Sequence, residues 1–506
     1  MYYRTTRRQT RRALLATALA VVALPAAAAQ AAEVTAVGTE IVVEDRRGFM
    51  DPIQHNRLIA EALPGGELRL VDQVPLVSKT PTCLNVTSTE VRCIRPSTSP
   101  ISKLVYRAGD GNDQLRPAGS LPIEYKGGDG DDLYVGARTA AGTRVDFEGG
   151  IDAGDLAHYT NARTGVNVTK DNLANDGRPG GTDRDNIHKD VDVVTGTHFD
   201  DGFGGVTSEV GFEEFRPLGG DDVVFGGDGM TTVDMGLAKD GADRVVAGGF
   251  TEVSYAKRTN PIRVGVDLEG ANDGETGEGD ELVGVHTVIG GEGDDTLFAA
   301  SRPGGISLDG GPGNDTVTGT GQRDRLTGGL DRDTLIGRDS SDTLIADDGD
   351  IDRVLCGSGF ADVAFTDTAE EEISGCETRK SVGTLRLTPK VLRAEAGETA
   401  RLELSWRHPK AWKQLRTIEL RLTQDGAPVG EVTIRPRGVR ISADGAVKLD
   451  RAATRLTTKG KLVRARLALQ LDQSLAGRIL KAEVEATDKR GQRQLERGAG
   501  TIRIAE

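Results

Sequence analysis

From Gly310 onward the chain repeats every nine residues. Residues 310–318, 319–327, 328–336 and 337–345 share one register, with Asp315, Asp324, Asp333 and Asp342 nine apart and Val317, Leu326, Leu335 and Leu344 two places after each. A fixed short period makes one structural unit stack on copies of itself, because nine residues cannot bury their single apolar side chain alone. The fullest form is Gly-Gly-x-Gly-x-Asp-x-apolar-x. It stands at Gly127, Gly128, Gly130 and Asp132, at Gly290, Gly291, Gly293 and Asp295, and at Gly310, Gly311, Gly313 and Asp315. Weaker copies centre on Asp113, Asp222 and Asp243, and degenerate turns surround 352–354 and 359–362. Glycine permits left-handed turns and close backbone approach, aspartate supplies a hard carboxylate, and the apolar residue opens a short inward-facing strand.

These nonapeptides resemble the haemolysin-type, or RTX, calcium-binding repeats, over residues 100–380. The resemblance implies a parallel β-roll with two nonapeptides per turn and Ca2+ as the cofactor, held between stacked loops. It implies that Asp315 shares an ion with Asp333 and Asp324 with Asp342. Asp113 with Asp132, and Asp295 with Asp315, pair likewise if a residue or two bulges. Calcium takes six to eight hard oxygens, which stacked carbonyls and carboxylates provide, so the glycines and aspartates named above are the expected metal residues. A turn such as 337–345, which keeps its aspartate and loses glycines, has the alternative of stacking without metal. RTX toxins and proteases resemble larger enzymes or pore formers with an uncleaved C-terminal export signal. This chain differs at both ends, so their activities do not carry over.

A longer duplication overlays the short one. Tyr159, Arg163-Thr164, Val166, Val168, 174–177, Asp183 and 194–196 recur as Tyr255, Arg258-Thr259, Ile262, Val264, 271–274, Asp280 and 288–290, offset by 94 to 97 residues. The stretch Asn272 to Asp280 is rich enough in oxygen for a further calcium, or is a solvated loop.

Charge divides the chain. Residues 1–380 carry 64 acidic against 37 basic side chains, and 381–506 carry 14 against 26. The acidic part argues against nucleic acid as partner and for cations. With 67 glycines and only 4% aromatics, a conventional large aromatic core is not expected. Residues 1–31 read as a secretory signal: Arg4, Arg7, Arg8, Arg11 and Arg12 precede an apolar run from Ala13 to Ala29 and a small-x-small Ala29-Gln30-Ala31 site. Either the general or the twin-arginine route fits. The product is expected to be extracellular, with no transmembrane segment. In that oxidising setting Cys83–Cys93 and Cys356–Cys376 are the simplest of three disulfide connectivities. Zinc is the alternative, without any Cys-x-x-Cys to support it.

The fold class expected is all-β: a parallel β-roll or β-solenoid followed by an immunoglobulin-like β-sandwich. The divisions are a signal peptide at 1–31, an N-terminal β cap at 32–106, the calcium-binding repeat region at 107–380 and a basic sandwich at 381–506. Runs such as 400–406 and 462–471 alternate with period two. The sandwich's positive charge either docks anionic cell-surface polymer or polysaccharide, or solvates its outer faces. Trp406 and Trp412 either stack on sugar or pack a core. Of the six histidines no two have metalloprotease spacing, no Gly-x-Ser-x-Gly is present, and His188 and His198 lie near carboxylates only as an Asp-rich chain requires. No catalytic residue is expected. The function expected is that of a secreted calcium-binding repeat protein, with calcium-dependent folding and an extracellular structural or adhesive role. A secreted hydrolase stabilised by the repeats is the alternative.

Overall fold

The computed structural model describes residues 32–505 apart from 46–55, 137–143, 151–153, 180–182, 208–210, 269, 271, 301, 349, 367–371, 381–383, 409–410, 425–426, 436–437, 442–445 and 490–492. The expected signal peptide therefore lies outside the described residues. Among these residues the chain is all-β, with no α-helix and two 3-10 turns, Trp412–Gln414 and Gln473–Leu475. Among the described residues no helix is long and apolar enough to cross a membrane.

The nine-residue period becomes a two-sided coil. Ser307–Pro312, Arg325–Leu330, Thr343–Ala346 and Val363–Thr366 pair in parallel on one face. Thr316–Thr318, Thr334–Ile336, Arg353–Leu355 and Glu372–Ser374 pair on the other. Leu308 lies beside Leu326, which is eighteen residues on, and Val317 beside Leu335. Two nonapeptides thus close one coil. Because side chains alternate along a strand, the apolar slot of each repeat points between the sheets. Val317, Leu326, Leu335 and Leu344 are all fully buried there.

The first face runs unbroken back through Thr287–Ile289, Phe250–Ser254, Met230–Asp234, Phe212–Arg216, Val193–Thr195, Leu156–His158 and Leu133–Val135 to Gln114–Ala118. The second face breaks twice. A sheet of Glu40–Glu44, Lys103–Asp110, Ile123–Asp129, Val145–Gly150 and Asn186–Ile187 ends, and the stack restarts at Asn167–Thr169. It continues through Gly202–Gly204, Val223–Phe225 and Arg244–Val246 to Glu281–Val283, and restarts again at Ile262–Val266. At each break the chain runs forward one strand and doubles back, and the two excursions are the two copies of the long duplication.

Hydrogen bonds correct the alignment of those copies. Ala162 N–H donates to the Tyr159 carbonyl and Arg258 N–H to that of Tyr255, both at 2.8 Å. Arg258 therefore corresponds to Ala162, not to Arg163. Asp280 corresponds to Asp185, not to Asp183, since Asp176 bridges Asp185 as Asp273 bridges Asp280. The Arg-Thr identity had drawn the sequence match at Arg258 one residue out of register, and the match at Asp280 was two residues out.

At the N-terminus Ala32–Val37 turns antiparallel onto Glu40–Glu44, and Arg57–Leu63 lies along Gln114–Ala118 before returning through Glu67–Val71 and Glu90–Cys93. One hydrophobic core runs from Ala32 to Ala364. Disulfides join Cys83 to Cys93 and Cys356 to Cys376. Aromatics, scarce overall, gather in this part of the core. Tyr106, Tyr125 and Phe147 stand in register on adjacent strands and stack with centroids 5.2 and 4.8 Å apart.

Residues from Thr384 form a two-sheet sandwich with its own core. One sheet is built on Thr399–Arg407 and Leu462–Leu471, the other on Leu415–Gln424 and Ile479–Asp488. Trp406 is fully buried at its centre and Trp412 packs on its edge, so Trp406 is no sugar platform.

The degenerate turns keep the backbone of the full ones. Gly311 and Gly313 have φ of +98° and +136°, and the same two places three nonapeptides further on hold Arg338 at 79° and Ser340 at 89°. A left-handed conformation costs a residue with a Cβ about 1–2 kcal/mol. Ser340→Gly is expected to raise stability by about 1 kcal/mol. At Gly311 a Cβ would sit 2.4 Å from the Gly291 carbonyl oxygen, and Gly311→Ala is expected to cost about 3 kcal/mol. Thermal midpoints read both, and a loss of stability on Ser340→Gly would contradict the argument.

Candidate metal centre

Each repeat aspartate closes a turn just before a strand, and in every aspartate but the first of a run its Oδ1 accepts the backbone N–H of the aspartate one coil earlier. The contacts form four ladders. Asp113 N–H donates to Asp132 and Asp132 N–H to Asp155, both at 2.8 Å. Asp201 donates to Asp222, Asp222 to Asp243 and Asp243 to Asp280 at 2.6, 2.9 and 3.0 Å. Asp295 donates to Asp315, Asp315 to Asp333 and Asp333 to Asp352 at 2.7, 2.8 and 2.8 Å. Asp324 donates to Asp342 and Asp342 to Asp362 at 2.9 and 2.7 Å. The structure brings each expected pair together one coil apart, with one oxygen of each acceptor already used.

The other oxygen turns back toward the first glycine of its own turn. A Cβ on Gly310 would lie 2.3 Å from Asp315 Oδ2 and 2.5 Å from the Gly328 carbonyl oxygen of the next coil. On Gly127 it would lie 2.0 Å from Asp132 Oδ2 and 2.4 Å from the Gly149 carbonyl oxygen. A carboxylate oxygen and a carbonyl oxygen converge on a point that only glycine leaves open. Gly128, Gly130, Gly311 and Gly313 do a different job, each lying against a carbonyl of the preceding coil.

Hydrogen bonding then separates the turns. Oδ2 of Asp132, Asp155, Asp222, Asp315, Asp333, Asp342 and Asp362 is buried with no hydrogen-bond partner. Burial, the dominant cause, pushes Asp132 and Asp315 up to about 8 and Asp222 and Asp333 up to about 9, and neighbouring carboxylates push the same way. Asp295 differs. Its two oxygens accept the N–H groups of Ile262 at 2.9 Å and Gly291 at 2.6 Å, and these hold it to about 6 against burial. Around it, Gly291 and Gly293 are crossed by the excursion, with a Cβ meeting the Arg258 carbonyl oxygen at 2.7 Å and Pro261 N at 2.5 Å. Of the three turns with the full motif, the one at Asp295 is thus satisfied by amide donors, whereas those at Asp132 and Asp315 and the weak copy at Asp222 are not. Asp113 accepts Asn56 N–H at 2.6 Å and Asp324 accepts Ile306 N–H at 2.8 Å.

These orphaned oxygens fit calcium. The converging donors at Gly310 and Gly127 are all oxygen, which suits a hard cation and not zinc. Among the described residues no three His, Cys, Asp or Glu side chains gather around one point, and at Gly310 and Gly127 one carboxylate oxygen converges with one backbone carbonyl. The acidic stretch Asn272 to Asp280 is already paired: Glu278 accepts from Arg258 at 2.9 Å and from Glu275 N–H at 2.6 Å. The further calcium expected there is not supported. His188 pairs with Asp146 at 2.7 Å, which raises its pKa.

The nine-residue spacing missed Asp155, Asp201 and Asp280 and reached Asp352 and Asp362 only as degenerate turns, because the coils holding them carry insertions. The signal that finds them is shorter. Each is followed two residues later by a buried apolar side chain, namely Ala157, Phe203, Leu282, Val354 and Ala364.

Residues 287–301 and 309–344 match the family of RTX calcium-binding nonapeptide repeats, in four copies. No curated protein matches the chain.

The raised carboxylates fix the sign of the pH response. An unfolded aspartate ionises near pH 4, so between that value and about 9 the folded repeats hold protons that the unfolded chain has released. Stability without calcium is expected to fall as pH rises from 5.5 to 9, the reverse of an ordinary salt-bridged protein. Calcium added at pH 7 is expected to release protons. A midpoint in EDTA that rises over this range would contradict the assignment.

Proposed function

We propose that this RTX-type repeat protein is a secreted calcium-binding scaffold whose repeat turns are ordered by calcium, and that its role outside the cell is structural or adhesive, not catalytic. The observation that carries the reading is the set of buried, unpartnered carboxylate oxygens facing neighbouring carbonyls. Asp132, Asp222, Asp315, Asp333 and Asp342 would hold the ions together with turn carbonyls such as those of Gly149 and Gly328. Bound calcium supplies the positive charge that an acidic stack lacks.

The rest follows from the chain's own residues. With 64 acids against 37 bases in 1–380, the calcium-free coil stack is opposed by like-charge repulsion and by carboxylate burial. An ion that binds only the folded form stabilises it by RT ln(1 + [L]/Kd), about 2.7 kcal/mol per site at a hundredfold excess over Kd. Low cytoplasmic calcium would leave the repeats loose and external calcium would close them, which suits the secretory leader expected from residues 1–31.

The sandwich supports the adhesive part. Arg401, Arg455 and Arg466 line one groove of about 270 Å3 on it, with Glu403 as the only acid lining that groove. Glu403 bonds both Arg464 and Arg466, at 2.8 and 2.9 Å, so a net positive charge faces outward to an anionic polymer.

Two measurements test the proposal. Calcium is expected to raise the thermal midpoint where equal magnesium does not, and Asp315→Asn with Asp333→Asn is expected to remove part of that rise. Binding to an anionic cell-wall polymer is expected to weaken with salt and to fall about tenfold or more with Arg401→Glu and Arg466→Glu together. An equal response to both metals sinks the first part, and salt-insensitive absence of polymer binding sinks the second.

A further inference from the structure

The coils around the second excursion meet the same electrostatic problem with no oxygen left over. Among the described residues from Met230 to Asp295, no buried carboxylate oxygen lacks a hydrogen-bond partner. Asp132, Asp155 and Asp222 before this segment, and Asp315, Asp333, Asp342 and Asp362 after it, each carry one.

Arg258 accounts for the difference. Its side chain is fully buried and bonds Asp240 Oδ1 and Glu278 Oε1, both at 2.9 Å, and it reaches Glu275 at 3.4 Å. It also donates to the Met235 carbonyl at 2.6 and 3.1 Å and lies 5.9 Å from the centre of the Tyr255 ring. The Glu278 side chain is itself fully buried. Neither charge is tolerable there alone, so each keeps the other in place.

Lys257, Arg244 and Arg302 pair with Asp234, Glu281 and Asp267 nearer the surface, and two further buried acids are met by neutral donors. Asp280 accepts the Tyr255 hydroxyl at 2.8 Å and Asp243 N–H at 3.0 Å, and Asp273 accepts Gly265 N–H at 2.6 Å and Leu282 N–H at 3.3 Å. In the other copy of the duplication Ala162 stands at Arg258's place. There Asp183, the counterpart of Glu278, is paired instead with Arg178 of the excursion, at 2.6 and 2.9 Å.

We infer that Arg258 is a resident cation, filling for the coils from Met230 to Asp295 the charge that calcium fills in the flanking arrays. These coils then fold without calcium. Calcium acts on the arrays before and after them, which add their coils onto a preformed centre. The inference rests on the calcium reading above.

Amide hydrogen exchange on the full secreted chain, in EDTA and in calcium, tests it. Peptides within 230–289 are expected to change protection by less than about threefold, while those within 309–366 gain about a hundredfold or more with calcium. If both regions are unprotected in EDTA, the inference is overturned and the calcium reading stands. If both are protected in EDTA, the calcium reading falls and the inference with it.

Arg258→Gln supplies the second arm. Without the guanidinium, Asp240, Glu275, Glu278 and the Met235 carbonyl face one another with no cation between them. Protection within 230–289 is then expected to fall about tenfold or more in EDTA and to recover in calcium. Unchanged protection of this variant in EDTA would show that Arg258 is not the lock.

Discussion

A carboxylate that accepts a backbone N–H from the coil before it is the contact on which the solenoid depends. It sets aspartate against aspartate in four ladders at 2.6 to 3.0 Å and so fixes the register of the turns as well as of the strands. Placing it there has a cost. One oxygen satisfies an amide that would otherwise be buried unpaired, and the second is buried among other acids. The first glycine of each turn is where that second oxygen fits, and the cation is what that oxygen lacks. The acidic composition, the glycine count and the calcium-binding family match are three consequences of one contact.

The same contact is satisfied in more than one way along the chain. In the repeats after Ser307 the second oxygen remains without a donor, at Asp315, Asp333 and Asp342. At Asp295 a backbone N–H from its own turn takes it, and at Asp280 the Tyr255 hydroxyl does. Arg258 neutralises the acids that crowd the second excursion. Repeat geometry and metal demand are therefore separable properties, and a turn can have either without the other.

Much of this was legible in the sequence, for identifiable reasons. The coil of eighteen residues is what the resemblance to the RTX repeats implies, and the nine-residue spacing of Val317, Leu326, Leu335 and Leu344 carries that resemblance. Both cysteine pairs close locally, as their spacing within turn-rich sequence suggests. Which turns want a cation was not legible, since it depends on whether a second donor reaches Oδ2, and a donor such as the Tyr255 hydroxyl at Asp280 comes from outside the turn it satisfies. Insertions hid Asp155 and Asp201 from a nine-residue template, although the Asp-x-apolar triplet marks both. The duplicated copies slipped by one residue at Arg258 because a short identity outweighed backbone register. The oxygen-rich stretch before Asp280 suggested a metal loop, and only the fold shows its acids already turned onto an arginine.

The most direct test of the account is far-UV circular dichroism of the chain from Ala32 onward, purified in EDTA and titrated with calcium, with magnesium as control. The account predicts a β signal that is partial in EDTA and rises cooperatively to its full value with calcium alone. A full β signal in EDTA, unchanged by calcium, would mean that the buried carboxylates are satisfied without metal, and would contradict it.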